Sequence, residues 1–530
     1  MGPSLLTRVG RRSPDGAFLD GPARRHVRLG AATAPGAVMD ERRPFTRLDL
    51  TTGAGPSWAP SGHEAGLPVL PDPLPPVAPS GFHVLSKPTG AICNLDCTYC
   101  FFLSKEALYP GSPFRMTEAT HEQYIRQLLE SQQSEHVTVA WQGGEPTLMG
   151  LDFFRSTMAL VERYRRPDQV IEHTIQTNGT RLDEAWAAFF AEHGVLVGLS
   201  LDGPAEIHDA QRVDKGGQGT HARVVRGARL LQAAGAEFNI LCTVHALNGD
   251  RGREVYRYFR DDIGARFVQF IPIVERATPE SLDVAEAGWG SHVEGRPLYT
   301  QTGSLVTSRS VGSRQYGDFL VDVFEEWVRR DVGSVYVQMF DVTLANFVGA
   351  PPGLCVHSET CGRALAMEHN GDLYSCDHFV EPRYKLGNIN ETHMIELVSS
   401  VQQLMFGMDK RDRLPQQCRE CEVRFACHGG CPKDRFRDDM YGQPGLNYLC
   451  ASYKRFFGHV GQPMLRMGEL LGAGRAAAEI MYDYAAADAA RGRNDDCSCG
   501  SGLKFKRCHG DRPLPTRAEL DRAVARVMSQ

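Results

Sequence analysis

No stretch of about 18 consecutive apolar residues occurs in the 530-residue chain, which excludes a membrane-spanning helix. Positive charge is not in excess: 58 Lys and Arg stand against 64 Asp and Glu, a formal charge of −6, so no global field recruits specific nucleic acid. Met1 to Gly10 lack the compact apolar core of a signal peptide, so export has no support and the expected location is the cytoplasm. Lysine is missing from residues 1–50, where nine Arg face five acids with no sustained period, the pattern of a solvated extension. Cysteine, by contrast, is plentiful. Fifteen of them in a chain too large to need disulfides in place of a core read as reduced ligands.

At roughly 150 residues per domain the length corresponds to about three or four units, and a hydrophobic content of 42% can core them. Residues 1–80 hold 13 of the 31 prolines and read as a disordered Pro-, Ala-, Gly- and Arg-rich tail. From residue 82 short apolar runs alternate with helical stretches. The runs are 82–86, 137–141, 173–176, 196–201, 238–244 and 267–271, and the helical stretches include 118–129, 151–164, 184–192 and 224–234. Parallel strands joined by right-handed crossovers curl into a partial (β/α)6 barrel of the TIM type, predicted over 81–340, so the fold class is α/β with chemistry at the strand C-terminal ends. Residues 276–315, rich in Gly, Ser and Thr, read as an inserted loop before a helix at 316–330. A cysteine-rich domain follows at 341–460, then a helical connector at 461–490, read as helix from residue 464. A separate Gly-Cys-Lys module at 491–512 and a terminal helix or tail at 513–530 complete the chain.

Cys93, Cys97 and Cys100 form C-x3-C-x2-C directly after the first predicted strand. Three thiolates in a short loop can bind three irons of a cubane cluster and leave the fourth iron open as a reaction site; a structural zinc loop would need a fourth ligand nearby. The second run ends in Trp141-Gln-Gly-Gly-Glu-Pro146, the third in Gln176-Thr-Asn-Gly-Thr180, and the fourth in Ser200-Leu-Asp-Gly-Pro204, with Ile207-His-Asp-Ala-Gln-Arg212 after it. This succession resembles the radical S-adenosylmethionine superfamily, whose signature is C-x3-C-x-aromatic-C, with Tyr99 in the aromatic position. The resemblance implies that Tyr99, Gly144, Ser200 and Arg212 contact S-adenosylmethionine. Backbone groups at Gly144 would receive its amino group, and Arg212 would be a charge-assisted donor to its carboxylate. It further implies that a reduced cluster splits the cofactor into a 5'-deoxyadenosyl radical while the protein positions the reactants and excludes water.

Eight cysteines lie between residues 355 and 450, four of them in C-x2-C-x5-C-x3-C from Cys418 to Cys431. The pattern resembles the SPASM extension of peptide-modifying radical enzymes, although C-x2-C pairs alone also occur at zinc sites. That resemblance implies two auxiliary [4Fe–4S] clusters, making three in all. The first would take Cys355, Cys361, Cys376 and Cys431, the second Cys418, Cys421, Cys427 and Cys450. Tyr374-Ser-Cys376-Asp377-His378 is similar to the anaerobic sulfatase-maturating enzymes, a resemblance running from about residue 82 to 459. It implies oxidation of a Cys or Ser in a sulfatase polypeptide to Cα-formylglycine, with Asp377 as the base and a donor such as flavodoxin or ferredoxin supplying electrons. A partly dry pocket would raise the pKa of Asp377 toward that of a competent base. His378 is expected to pack behind the base or face solvent, and the 276–315 insert and the added ends leave substrate choice open.

Near the C-terminus Cys497, Cys499, Cys508 and His509 form C-x-C-x8-C-H, a plausible tetrahedral zinc set. It resembles the SEC-C motif, which implies either a docking module for a protein partner or a structural staple. Lys504, Lys506 and Arg507 give it a basic face. Formylglycine formation is therefore the leading reading. The alternatives are a SPASM maturase that crosslinks a small precursor peptide and a non-enzymatic metal-bearing docking protein.

Overall fold

In the computed structural model of the chain, residues 67–290 and 297–528 are described. Six parallel strands carry the architecture: β1 (His83–Lys87), β2 (His136–Trp141), β3 (Val170–Thr177), β4 (Leu196–Ser200), β5 (Phe238–Val244) and β6 (Phe267–Pro272). They pair in sequence order, each parallel to the next. Sequences such as Leu-Val-Gly-Leu-Ser and Phe-Asn-Ile-Leu-Cys-Thr-Val are apolar nearly throughout, as strands covered on both faces must be. Helices Glu118–Ser131, Leu151–Tyr164, Glu184–Glu192 and His221–Ala234 form the crossovers, and local chemistry sets their ends. Thr117 and Asp183 accept from the backbone N–H groups of Thr120 and Trp186, and Gly235 closes its helix at φ +73°.

The sheet does not stop at six strands. A hairpin of β7 (Arg276–Ala277) and β8 (Leu305–Val306) stands apart, but β9 (Tyr336–Val337) adds parallel to β6. At the other edge β10 (Ala364–Glu368) pairs parallel with β1, followed by antiparallel β11 (Asp372–Tyr374) and β12 (Lys385–Asn388). The sheet thus has ten strands in the order β12-β11-β10-β1-β2-β3-β4-β5-β6-β9. The boundary expected at residue 340 is crossed by main-chain hydrogen bonding, because β1 would otherwise be an unpaired edge.

Other expectations shift. The disordered tail expected over 1–80 lies, up to residue 66, outside the described residues. Residues 67–80 have no helix or strand but are anchored, with Arg126 donating to Pro68 O at 2.6 Å and Gln133 N–H to Ser80 O at 3.0 Å. The connector helix begins at Cys450, not near residue 464, and runs to Gly472; Gly474 at φ +71° breaks it before Ile480–Ala489. Among the described residues no helix is long and apolar enough to cross a membrane.

Candidate active site

Lys87 closes β1, and Cys93, the first cysteine of the loop that follows, comes six residues later. Neighbouring strand ends hold this loop through the backbone: Gly144 N–H donates to Gly90 O at 2.8 Å, Glu145 N–H to Ile92 O at 3.0 Å and Thr98 N–H to Gln211 O at 2.9 Å. A Cβ on Gly144 would stand 1.9 Å from Ile92 O, so only glycine lets the end of β2 lie this close to the cysteine loop. Glu145 is fully buried and its carboxylate accepts from Thr147, Thr177 and Asn178, tying the ends of β2 and β3 together. Burial pushes all three loop thiols up, Cys97 to about 12; Cys93 also feels the charges of Cys97 and Cys100, and Cys97 that of Cys100. Unbridged thiols that converge yet resist deprotonation become thiolates once a metal centre supplies the opposing charge, so the donor set fits a metal cluster.

Tyr99 and Arg212 meet on a residue that sequence reasoning passed over. Asp202, fully buried, accepts from the Tyr99 hydroxyl at 2.6 Å, from Arg212 Nε at 2.9 Å and Nη2 at 3.2 Å, and from Thr243 N–H at 2.9 Å. Burial alone would raise its pKa, but the Arg212 guanidinium wins and holds it at about 2. Arg212 therefore does not wait for a cofactor carboxylate with its whole fork, because Asp202 already takes two of its nitrogens. Ser200 is buried at the end of β4, two residues away. The signal was present, since Asp202 sits inside the Ser-Leu-Asp-Gly-Pro motif.

Asp377 lies beside Cys376 after β11, and its Oδ1 is 2.6 Å from Nζ of Lys87. Lys87 is 1% exposed, also donates to Gln142 Oε1 at 3.1 Å and sits 4.0 Å from the centre of the Phe102 ring. The expected raised pKa of Asp377 is overturned. Burial is the largest influence and pushes it up, but Lys87, His378 and Lys105 together outweigh burial and bring it below the usual carboxylate range. Asp377 is thus held ionised against a buried ammonium. Nothing near Lys87 in sequence announces this pair, which joins residues 290 positions apart. His378 is packed at the cysteines, its Nδ1 3.9 Å from Cys431 Sγ.

The eight later cysteines divide by electrostatic influence. Cys376 feels Cys431 and Cys355, Cys361 feels Cys355, and Cys431 feels Cys355. Separately, Cys418 feels Cys450 and Cys421, and Cys427 feels Cys450, Cys418 and Cys421. Because such influence falls with distance, Cys355, Cys361, Cys376 and Cys431 are near neighbours of one another, as are Cys418, Cys421, Cys427 and Cys450. Cys418, Cys421, Cys427 and Cys450 also line one small cavity. The chain passes from one group to the other at Cys427-His-Gly-Gly-Cys431, where His428, Gly429 and Gly430 all have φ between +47° and +74°. Arg435 holds that left-handed turn by donating to the carbonyls of His428, Gly429 and Gly430.

The 276–315 insert belongs to the site. Trp289 and Tyr299 pack with Leu103 against Cys93 and Cys100, Lys105 donates to Tyr299 O at 2.6 Å, and Gln301 donates to His378 O at 3.3 Å. The C-terminal module is not separate either. Cys497, Cys499, Cys508 and His509 are buried, with ligand atoms all within 4.8 Å of one another, the only such group of three or more metal-binding side chains among the described residues. That spacing suits one ion. Lys504, Lys506 and Arg507 are exposed, and the first two bond within the module to Asp496 and Asn494.

Family models match for the Radical SAM superfamily over residues 88–259, for the SPASM iron–sulfur cluster-binding domain over 355–422 and for the SEC-C motif over 493–511. A serine-type anaerobic sulfatase-maturating enzyme of Bacteroides thetaiotaomicron is 42% identical over 404 residues, covering 75% of this chain and 94% of that protein. A cysteine-type anaerobic sulfatase-maturating enzyme of Clostridium perfringens is 33% identical over 388 residues, 72% of this chain and 96% of the relative. Among solved structures, native anSMEcpe with bound AdoMet and Cp18Cys peptide superimposes with a TM-score of 0.62 at 32% identity, covering 73% of this chain and 99% of that one.

Proposed function

The chain belongs to the anaerobic sulfatase-maturating enzymes of the radical S-adenosylmethionine superfamily, and from that premise we propose how its own residues divide the conversion of a Cys or Ser side chain in a sulfatase polypeptide to Cα-formylglycine. It is an S-adenosylmethionine-dependent, iron–sulfur enzyme acting on a polypeptide. Cys93, Cys97 and Cys100 would hold the first cluster, Cys355, Cys361, Cys376 and Cys431 the second, and Cys418, Cys421, Cys427 and Cys450 the third. When bound, the cofactor and clusters supply the radical that takes a hydrogen atom from the substrate Cβ and the acceptor for the second electron.

The remaining proton leaves the substrate thiol or hydroxyl, and Asp377 would accept it. The Lys87–Asp377 contact at 2.6 Å carries this reading, because it keeps the carboxylate charged before substrate arrives. At the cofactor side, Gly144 brings the β2 end against the cysteine loop. Asp202 fixes the plane of Arg212, leaving Nη1 for a cofactor carboxylate, and Tyr99 shares the same anchor. Trp289 and Tyr299 cover the cysteine loop and limit water. A flavodoxin- or ferredoxin-like protein would deliver the reducing electron, and the C-terminal Cys3His set would hold zinc.

The pairing of Asp377 with Cys376, together with similarity to maturating enzymes over most of their length, favours formylglycine over a crosslinked product. The test is anaerobic turnover of a peptide carrying C-x-P-x-R or S-x-P-x-R after cluster reconstitution, followed by mass spectrometry. Aldehyde formation with stoichiometric deoxyadenosine supports the reading; a macrocycle that survives reduction refutes it.

A further inference from the structure

The C-terminal ligand set is not closed on itself. Arg253, on the barrel helix Gly252–Arg257, places Nη2 3.1 Å from Cys508 Sγ. Glu326, on the barrel helix Gln315–Arg330, is 2% exposed and lies 3.7 Å from Nε2 of His509, on the ring edge opposite the Nδ1 that faces Cys497 Sγ at 3.2 Å. Glu326 is itself fixed by Arg257 at 2.6 Å, and Arg257 reaches on to Asp511 at 2.9 Å. Further contacts run the same way: Arg329 donates to Ser498 Oγ, Arg330 to Pro513 O, and Arg512 pairs with Asp261. The module meets the barrel through its metal ligands as well as around them.

Charge counting explains why. Three thiolates, one neutral imidazole and one dication sum to −1, and a buried net charge needs a partner. Arg253 stands where that charge would be largest, against a ligand sulfur. A metal-bound histidine in turn needs its second N–H oriented by an acceptor, and a carboxylate is a common one. Glu326 is the carboxylate on that side.

We infer that the barrel completes the C-terminal metal site, with Arg253 as the counter-charge to the thiolates and Glu326 as the carboxylate that positions His509, so that metal binding clamps the C-terminal module onto the outer wall of the barrel. This rests on the reading that Cys497, Cys499, Cys508 and His509 hold zinc. The module is then a fixed part of the enzyme, and loss of the metal frees it from the barrel.

Zinc affinity of the full, cluster-reconstituted chain, titrated against a chromophoric chelator, tests this. Arg253→Met and Glu326→Gln should each weaken zinc by about 10–100-fold, the range for loss of a supporting partner. Arg253→Lys, which keeps the charge, should recover most of the affinity. Iron content, which depends on ligands elsewhere, reports whether each variant has folded. Limited trypsin digestion should cut at Arg491 or Arg493 in the chelator-treated parent and in the weakened variants, but not in the zinc-loaded parent. Equal zinc affinity in parent, Met and Gln variants overturns the clamp while leaving the zinc site standing, as does a Lys variant as weak as the Met variant. A parent chain that binds no zinc overturns both.

Discussion

Replacing Asp377 by Asn separates radical generation from product formation. The amide keeps the shape of the carboxylate and can still accept from Lys87, but it cannot take up a proton. Removing one partner of a buried ion pair costs about 3–5 kcal/mol. Here the Lys87 ammonium keeps Gln142 Oε1 and the Phe102 ring, and the Asp377 side chain is 22% accessible, which places the loss at the low end, about 3 kcal/mol. Adding Lys87→Met removes the uncompensated charge, so the double variant should regain stability without regaining activity. Catalysis should fall by about 10²–10⁴-fold, the contribution of a positioned base, equivalent to roughly 2.7–5.5 kcal/mol in the barrier. The assay counts deoxyadenosine and formylglycine in the same anaerobic reaction, using substrate deuterated at Cβ. Labelled deoxyadenosine should continue to appear while aldehyde nearly vanishes. Formylglycine at the parent rate from the Asn variant would refute the assignment of Asp377 as the base.

Three further outcomes are expected. Cys376→Ala or Cys431→Ala should lower iron by about four per chain while cofactor cleavage continues; unchanged iron would break the proposed grouping of ligands. Asp202→Asn should leave Arg212 buried without its counter-ion, lowering the melting midpoint and weakening S-adenosylmethionine binding, with a stability cost of about 3–5 kcal/mol by the same reasoning; cofactor affinity equal to the parent's would show that Asp202 does not orient Arg212. Gly144→Ala forces a Cβ to within 1.9 Å of the Ile92 carbonyl, a backbone atom that cannot swing aside, so deoxyadenosine release should be lost along with at least ~1–3 kcal/mol of stability. Normal release from the Ala variant would mean that the cysteine loop can retreat from β2.

Short-range patterning made much of this molecule legible in one dimension. The C-x3-C-x2-C loop, the Gly-Gly-Glu-Pro turn and the C-x-C-x8-C-H tail are defined by spacing within a dozen or so residues, and steric reach alone decides which ligands can meet. Apolar runs at 196–201 and 238–244 marked β4 and β5 to within a residue, because a strand covered on both faces has to be apolar along its length. The tertiary structure decided what depends on long-range packing. Lys87 and Asp377 are 290 positions apart and meet because β10 and β11 extend the sheet from the edge of β1, carrying the cysteine-rich segment over the mouth of the barrel. The sign of the Asp377 pKa shift followed from that packing, since burial alone predicts a rise and the positive charges of Lys87, His378 and Lys105 together reverse it. Asp202 stood in a motif, yet its role depended on Tyr99 and Arg212 arriving from two other loops. The C-terminal module looked detachable because its four ligands are local, but the charges that complete its surroundings come from barrel helices about 180 to 250 residues earlier. Local spacing brings candidate ligands within reach of one another, and long-range packing supplies the charges that surround them.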